Sequence, residues 1–288
     1  MAAARALAER GVRIDLVSVD SMQVYRGMDI GTAKPTQAER AEVVHHGLDL
    51  VEPTADFTVA DFKLAHAAAL DEIDAAGAQA VLVGGTGLYH RVVIDEFDLP
   101  GEYPDVRMAL ETEPDTPALH RRLAELDRAA AEKMEPMNRR RVIRALEVTL
   151  GSGQPFSSFG PGVDHYPGGG VTQVGLRWPR PVMAERIAAR VHQMIADGLV
   201  AEVERLAAIG LSRTAGQALG YKEIVAALDG EMSQDEAVEL IITRTRQFAV
   251  RQERWFRRDP RVRWIDVEVD AVAECTPDVI DLLEQAAA

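Results

Sequence analysis

Asp20-Ser21-Met22-Gln23-Val24-Tyr25 leaves a short apolar run, Ile14 to Val19, and continues as Arg26-Gly27-Met28-Asp29-Ile30-Gly31-Thr32-Ala33-Lys34-Pro35, a dense mixture of donors, acceptors and turn formers. A carboxylate at the carboxyl end of a strand can take a proton from a substrate held within hydrogen-bond reach. The amide of Gln23 both donates and accepts, so it can read an adenine edge. An isolated Asp-Ser pair more often caps a turn; the length of this string is what favours chemistry. Gly84-Gly85-Thr86-Gly87 is the second candidate. Its glycines let backbone approach a ligand closely, and the Thr86 hydroxyl could orient an amine or a phosphate oxygen. The same turn type also serves packing alone in many α/β proteins.

Two cationic segments complete the set. Arg139-Arg140-Arg141-Val142-Ile143-Arg144 opens a helix in which Arg140, Arg141 and Arg144 are expected to share a face suited to backbone phosphates. A solvated charged face is the alternative. Between Arg244 and Arg263 eight arginines stand against Glu253 and Asp259, a local balance of +6 in a chain whose net charge is −14. There, Phe248, Trp255 and Phe256 are expected to pack inward while the arginines face a cleft.

The elements that must position these residues follow from periodicity. Ala2 to Arg10 reads as the end of a helix, Ile14 to Val19 as a buried parallel strand, Phe57 to Ala76 as a helix stopped by Gly77, and Ala80 to Val83 as a second buried strand. Strand, turn and helix repeated in this way predict an α/β fold with a parallel sheet, whose ligands lie outside the carboxyl ends of the strands. From 102 to 170 the texture changes to charged helices, Ala118 to Lys133 and Asn138 to Leu150, and then a glycine-rich loop, which reads as a helical insertion. The core is thus expected over 1–101 and 171–288. In its second part Val171 to Trp178 is a strand, helices cover 181–209, 216–228 and 233–257, and Val262 to Asp266 is a last strand.

Composition narrows the function classes. The 288 residues, 47% hydrophobic and 27% charged, suit one large or two modest globular domains. The acidic balance gives no global attraction to nucleic acid or anionic membrane, so any polyanion must be met locally. A single cysteine, Cys275, excludes an internal disulfide framework and any multi-cysteine metal site, and suits a reducing cytosol. No apolar run approaches the roughly 18 residues of a membrane span, and the start lacks the apolar block of a signal peptide. A cytoplasmic monomer without a membrane partner is expected. His45-His46 are adjacent and read as a surface pair.

Taken together, Val17 to Pro35, Val83 to Tyr89, Arg144 to Val148, Gly220-Tyr221-Lys222-Glu223 and Arg244-Thr245-Arg246-Gln247-Phe248-Ala249 resemble the bacterial tRNA dimethylallyltransferase (tRNA isopentenyltransferase) family, in family order and over nearly the whole chain. The resemblance implies transfer of a dimethylallyl group from dimethylallyl diphosphate to N6 of the adenine just 3′ of the anticodon, in tRNAs that read codons beginning with U. It further implies a P-loop kinase-like parallel-sheet core, an inserted helical domain that grips the tRNA anticodon stem-loop, and Mg²⁺ on the diphosphate. In that picture Asp20 is the general base and Thr86 positions the amine. Asp20, Ser21, Met22 and Gln23 receive the flipped adenine, which is cheaper to extrude from a loop than from a duplex. Arg140, Arg141, Val142, Ile143 and Arg144 belong to the tRNA-binding segment, and Arg244 and Arg246 neutralise the diphosphate. The adenine amine is a poor nucleophile, so stabilising the leaving group is the main catalytic work.

The sequence departs from the family in lacking the G-x-x-x-x-G-K-[ST] loop that cradles the diphosphate. The start is therefore expected to fall roughly 15 to 20 residues late relative to that architecture, without a central strand and with weak hold on the donor. Val250 stands where the family commonly has a lysine. A small-molecule kinase sharing the sheet, or a tRNA-binding protein without catalysis, are the alternatives; neither kinase chemistry nor an NTP site predicts Asp20-Ser21-Met22-Gln23.

Overall fold

The strand expected after the first helix forms over Ile14–Ser18 (β1), and all five of its residues are buried, which demands cover on both faces of the sheet. The computed structural model describes residues 1–95, 97, 99–160, 162–168 and 170–287. Ala2–Ala8 (α1) precedes β1. Gln37–Glu42 (α2) leads to His45–His46 (β2), and Val59–Ala75 (α3) crosses to Gln79–Val83 (β3), which runs into Gly87–Ile94 (α4). Both α2 and α3 open with capping boxes, Thr36 with Glu39 and Thr58 with Asp61, so each start is written in the local sequence. The sheet is parallel in the order β2-β1-β3, with Ile14 opposite Gln79 and Ser18 opposite Val83.

Two expectations are corrected here. His45 and His46 are not a surface pair: they pair with β1 and are half-buried, with His46 Nε2 3.3 Å from a carboxylate oxygen of buried Asp15. Nor is β3 fully buried. Its residues are half-covered and Val83 is 53% exposed. Among the described residues β3 pairs only with β1, so an apolar run suited to a sheet centre forms an edge.

The chain divides into two units, Met1–Ile94 with Gly168–Ala288, and Asp95–Pro167. Regular structure in the second is helical among the described residues: Pro104–Glu111 (α5), Thr116–Leu126 (α6), Arg128–Glu132 (α7) and Arg139–Ser152 (α8). It has its own core, in which Leu110, Leu119 and Leu123 meet Val142, Ile143 and Leu146.

The first unit resumes with Gln173–Arg177 (β4), Arg180–Ala196 (α9), Leu199–Ile209 (α10), Tyr221–Leu228 (α11), Gln234–Phe256 (α12), Val262–Asp266 (β5) and Ala271–Ala287 (α13). Strands β4 and β5 form a separate parallel pair, closed at one end by the two-point Arg177–Asp266 ion pair at 2.5 and 2.8 Å. The helix expected over 181–209 is two helices, because Gly198 between them adopts φ +102°, a left-handed conformation that ends one helix and redirects the chain. The acidic tail around Cys275 folds as α13. The main core joins Val24, Tyr25 and Met28, from the segment after β1, to Val203, Leu206, Tyr221, Ile224 and Ile241 on α10 to α12. Chemistry-bearing residues are thereby seated on helices distant in sequence.

Truncation of a fully buried side chain leaves a cavity as well as losing its transfer free energy. Leu146→Ala should therefore destabilise the helical unit by about 2–5 kcal/mol, read as a lower urea midpoint; an unchanged midpoint would show that Leu146 does not hold that core.

Candidate active site

The ladder between β1 and β3 extends past the strands, Val19 N–H donating to Val83 O at 2.8 Å. It brings the turn after β1 against the glycine-rich turn after β3, where Ser21 N–H donates to Thr86 Oγ1 at 3.3 Å. Three glycines make that approach possible. A Cβ would lie 2.1 Å from Val19 O at Gly84, 2.1 Å from the Gln252 amide nitrogen at Gly85, and 2.2 Å from the Trp255 ring at Gly87. Gln252 Nε2 donates to Gly85 O at 2.9 Å, so α12 also packs on the turn. Packing and ligand approach therefore ask for the same glycines.

Asp20 accepts from Met22 N–H at 2.8 Å, an Asx turn that aims the following residues. Burial pushes its carboxyl above the ordinary aspartate range; the Met22 and Gln23 backbone N–H groups and the charge of Arg190 oppose the shift without cancelling it. The result is a carboxylate more basic than a solvated one, as a proton acceptor requires. Ser21, Met22, Gln23 and Thr86 are half-buried beside it.

Gln23 does not point freely outward. Its Oε1 accepts from Ser18 Oγ at 2.7 Å, and its Nε2 donates to Thr32 O at 3.1 Å and Ala33 O at 3.4 Å. Ala33 and Asp49 adopt positive φ, +48° and +54°, a strained state for residues with a Cβ. Asp49 is tied to buried Lys34, the residue after Ala33, whose ammonium donates to Tyr25 O, Asp29 and Asp49 at 2.7 to 2.8 Å, and Arg40 adds a second bond to Asp49. Beneath β1, buried His66 places Nε2 2.7 Å from Ser18 O and Nδ1 2.8 Å from Phe62 O. Sequence reasoning did not find His66 or Glu202, a buried carboxylate on α10 that accepts from Asp29, Ile30 and Gly31 N–H. Only the spacing of the apolar residues around each hinted that it faced inward.

The cationic candidates separate. On α12, Arg244 turns to Glu223 of α11, whereas exposed Arg246 reaches Ala184 O on α9 at 3.3 Å. Two positions apart on a helix, they do not share a face. Phe248, expected inward, is 37% exposed beneath Arg251, while Trp255 packs at Gly87 and Phe256 meets His90 edge to face. The two acids already counted in the +6 balance are each held by a neighbouring arginine, Glu253 by Arg257 and Asp259 by Arg261. In the helical unit, Arg140 and Arg141 are exposed, but Arg144 turns inward to Glu147 at 2.7 Å and Pro100 O at 2.8 Å, so the three do not form one face. Val142 and Ile143 are 0% and 4% exposed in that unit's core, which excludes direct contact with RNA in this conformation.

Among the described residues no group of three His, Cys, Asp or Glu side chains is arranged to hold a metal. Among these residues there is thus no all-protein cage for the Mg²⁺ that the resemblance implies, an ion commonly held by one or two carboxylates, waters and substrate phosphates. A cavity of about 450 Å³ lies between α1 and α13 and one of about 590 Å³ in the helical unit; neither is lined by Asp20 or Thr86.

The α/β fold recurs in a protein of known structure. A solved structure of a eukaryotic dimethylallyltransferase acting on tRNA shares it, with a TM-score of 0.79 at 20% identity over 98% of this chain and 76% of that one. The protein is an α/β protein with the architecture of that transferase. The IPP transferase family model matches residues 23–259, and the chain belongs to that family. The full-length tRNA isopentenylpyrophosphate transferase from Bacillus halodurans is 37% identical, with a TM-score of 0.69 over 99% of this chain and 93% of that one. Proteins named tRNA dimethylallyltransferase from Thermobifida fusca and Kineococcus radiotolerans are 47% and 48% identical, covering 98% and 89% of this chain and 87% and 82% of their own lengths.

The raised Asp20 carboxyl has a consequence for stability. A group that binds its proton more tightly when folded costs nothing below its unfolded value, and its penalty grows as pH rises through the folded value. Asp20→Asn keeps an acceptor for Met22 N–H and should raise the melting temperature at pH 7, with the gain vanishing as pH falls below the ordinary carboxylate range. A gain that persists unchanged to pH 3 would contradict the burial effect.

Proposed function

We propose that the chain transfers a dimethylallyl group from dimethylallyl diphosphate to N6 of the adenine just 3′ of the anticodon, in tRNAs that read codons beginning with U. The observation that carries this reading is the meeting of the Asp20–Ser21 turn with Thr86 at the carboxyl ends of β1 and β3, in a chain of the IPP transferase family. In the reaction the allylic C–O bond to diphosphate breaks, the N6–C bond forms, and the amine loses one proton. Asp20, made more basic by burial, takes that proton. Thr86 Oγ1 accepts from Ser21 N–H with one lone pair and has a second with which to accept from the amine and orient it.

Arg244 spends part of its guanidinium fork on Glu223 and offers the rest to the leaving diphosphate; Arg246 contributes charge from the neighbouring face. Magnesium on the diphosphate would add charge neutralisation. The helical unit meets the anticodon stem-loop through Arg140 and Arg141, with Val142 and Ile143 fixing the helix and Arg144 bracing it through Glu147. We read the α/β unit as P-loop kinase-like, supported by the parallel β1-β3 pair and its glycine turn, and the protein as a monomer acting in the cytoplasm.

The test is to incubate the full chain with an anticodon stem-loop RNA and dimethylallyl diphosphate and to analyse the nucleosides by mass spectrometry. Dimethylallyl-adenosine is expected; its absence under saturating donor would reject the assignment. Asp20→Ala should lower single-turnover rate by about 10²-fold or more while sparing RNA affinity, and a near-normal rate would remove Asp20 from the proton transfer. Arg140→Ala should weaken RNA binding and reduce its salt slope by about one; an unchanged slope would mean that no phosphate is met there.

A further inference from the structure

The sequence Gly220-Tyr221-Lys222-Glu223 takes no part in the chemistry above, yet it opens α11 at the meeting point of two buried carboxylates. On one side stands Glu202 of α10. One carboxylate collects four donors: the consecutive N–H groups of Asp29 at 3.0 Å, Ile30 at 2.9 Å and Gly31 at 3.2 Å, and the Tyr221 hydroxyl at 2.6 Å. The Tyr221 ring supports the same loop, since a Cβ at Gly31 would lie 2.4 Å from it. One and two residues further on, the carbonyls of Thr32 and Ala33 receive the Gln23 amide. On the other side, the fully buried Glu223 side chain accepts from Gly220 N–H at 2.8 Å and pairs with Arg244, with Lys222 Nζ 3.9 Å away.

Stability alone does not call for this arrangement, because well-packed apolar residues commonly serve a core as well as buried ions do. Three successive backbone N–H groups converging on one carboxylate, and one guanidinium fixed by another, set positions that apolar contacts would leave free to slide. We propose that the first turn of α11 is a junction positioning the two halves of the site separately. Glu202 with Tyr221 sets the 29–33 loop that orients Gln23, and Glu223 sets Arg244. The proposal rests on the reading that Asp20 to Gln23 receive a nucleobase and Arg244 the diphosphate. Glu202, Tyr221 and Glu223 touch neither and are positioning residues.

The full chain carrying Glu202→Gln or Glu223→Gln is titrated separately with anticodon stem-loop RNA and with inorganic diphosphate, and its thermal unfolding is recorded. Glu202→Gln should weaken RNA binding about tenfold with diphosphate affinity held within about twofold, and Glu223→Gln should do the reverse. Gly31→Ala, which pushes the loop off Tyr221, should reproduce the Glu202→Gln pattern, and with Tyr221→Phe it carries the RNA arm if Glu202→Gln does not fold. Equal weakening of both ligands in step with lost stability, or no weakening of either, would overturn the junction. Prenyl transfer by the unaltered chain is assayed in parallel: transfer without the crossed pattern overturns the junction alone, and the crossed pattern without transfer overturns the catalytic reading alone.

Discussion

Backbone crowding at Gly84 is the constraint from which the site follows. With the Val19 carbonyl only 2.1 Å from where a Cβ would stand, β1 and β3 can hold their register beyond the strand ends only if that residue has no side chain. The same closeness puts Ser21 N–H on Thr86. Gln252 and Trp255 of α12 occupy the space that side chains at Gly85 and Gly87 would need. A glycine-rich turn that looks either structural or functional in the sequence is here one object, because close packing is what places an acidic turn beside a hydroxyl.

Charge is organised by the same economy. A net −14 chain carries an arginine-rich helix in which Arg244 is committed to Glu223 and Arg246 to a backbone carbonyl, with Arg257 just beyond its end on Glu253. A run of arginines is therefore a poor measure of the field a ligand meets; the partner chosen by each fork decides it. Asp20 is the converse case. Its environment supplies too little compensation to offset burial, and the imbalance leaves it basic.

The parts legible in the sequence were those written within a few residues of one another. The apolar run of β1 and the periodicity of α3 and α8 appear where local pattern put them. What the sequence concealed depends on partners far apart. Glu202 lies 173 positions from Asp29, whose N–H it accepts, and nothing in the surroundings of either announces the other. β2 is two residues long, too short for alternation to register. A continuous helical pattern hid the break at Gly198, where one left-handed residue outweighs the periodicity around it. Exposure of Val83 could not be foreseen, since an apolar strand reads alike at the centre and at the edge of a sheet.

The Gln23 amide is already satisfied at both ends, by a hydroxyl and two carbonyls. A visiting acceptor has to displace an incumbent from the NH₂ group, while a visiting donor is left the second lone pair of Oε1. Exchange of one good bond for another is close to neutral, so a guest offering a matched donor and acceptor loses little, while one offering a single mismatched group leaves an interior amide stranded. Selectivity for a guest at that position would then come from competition with the protein's own hydroxyl and carbonyl partners rather than from attraction.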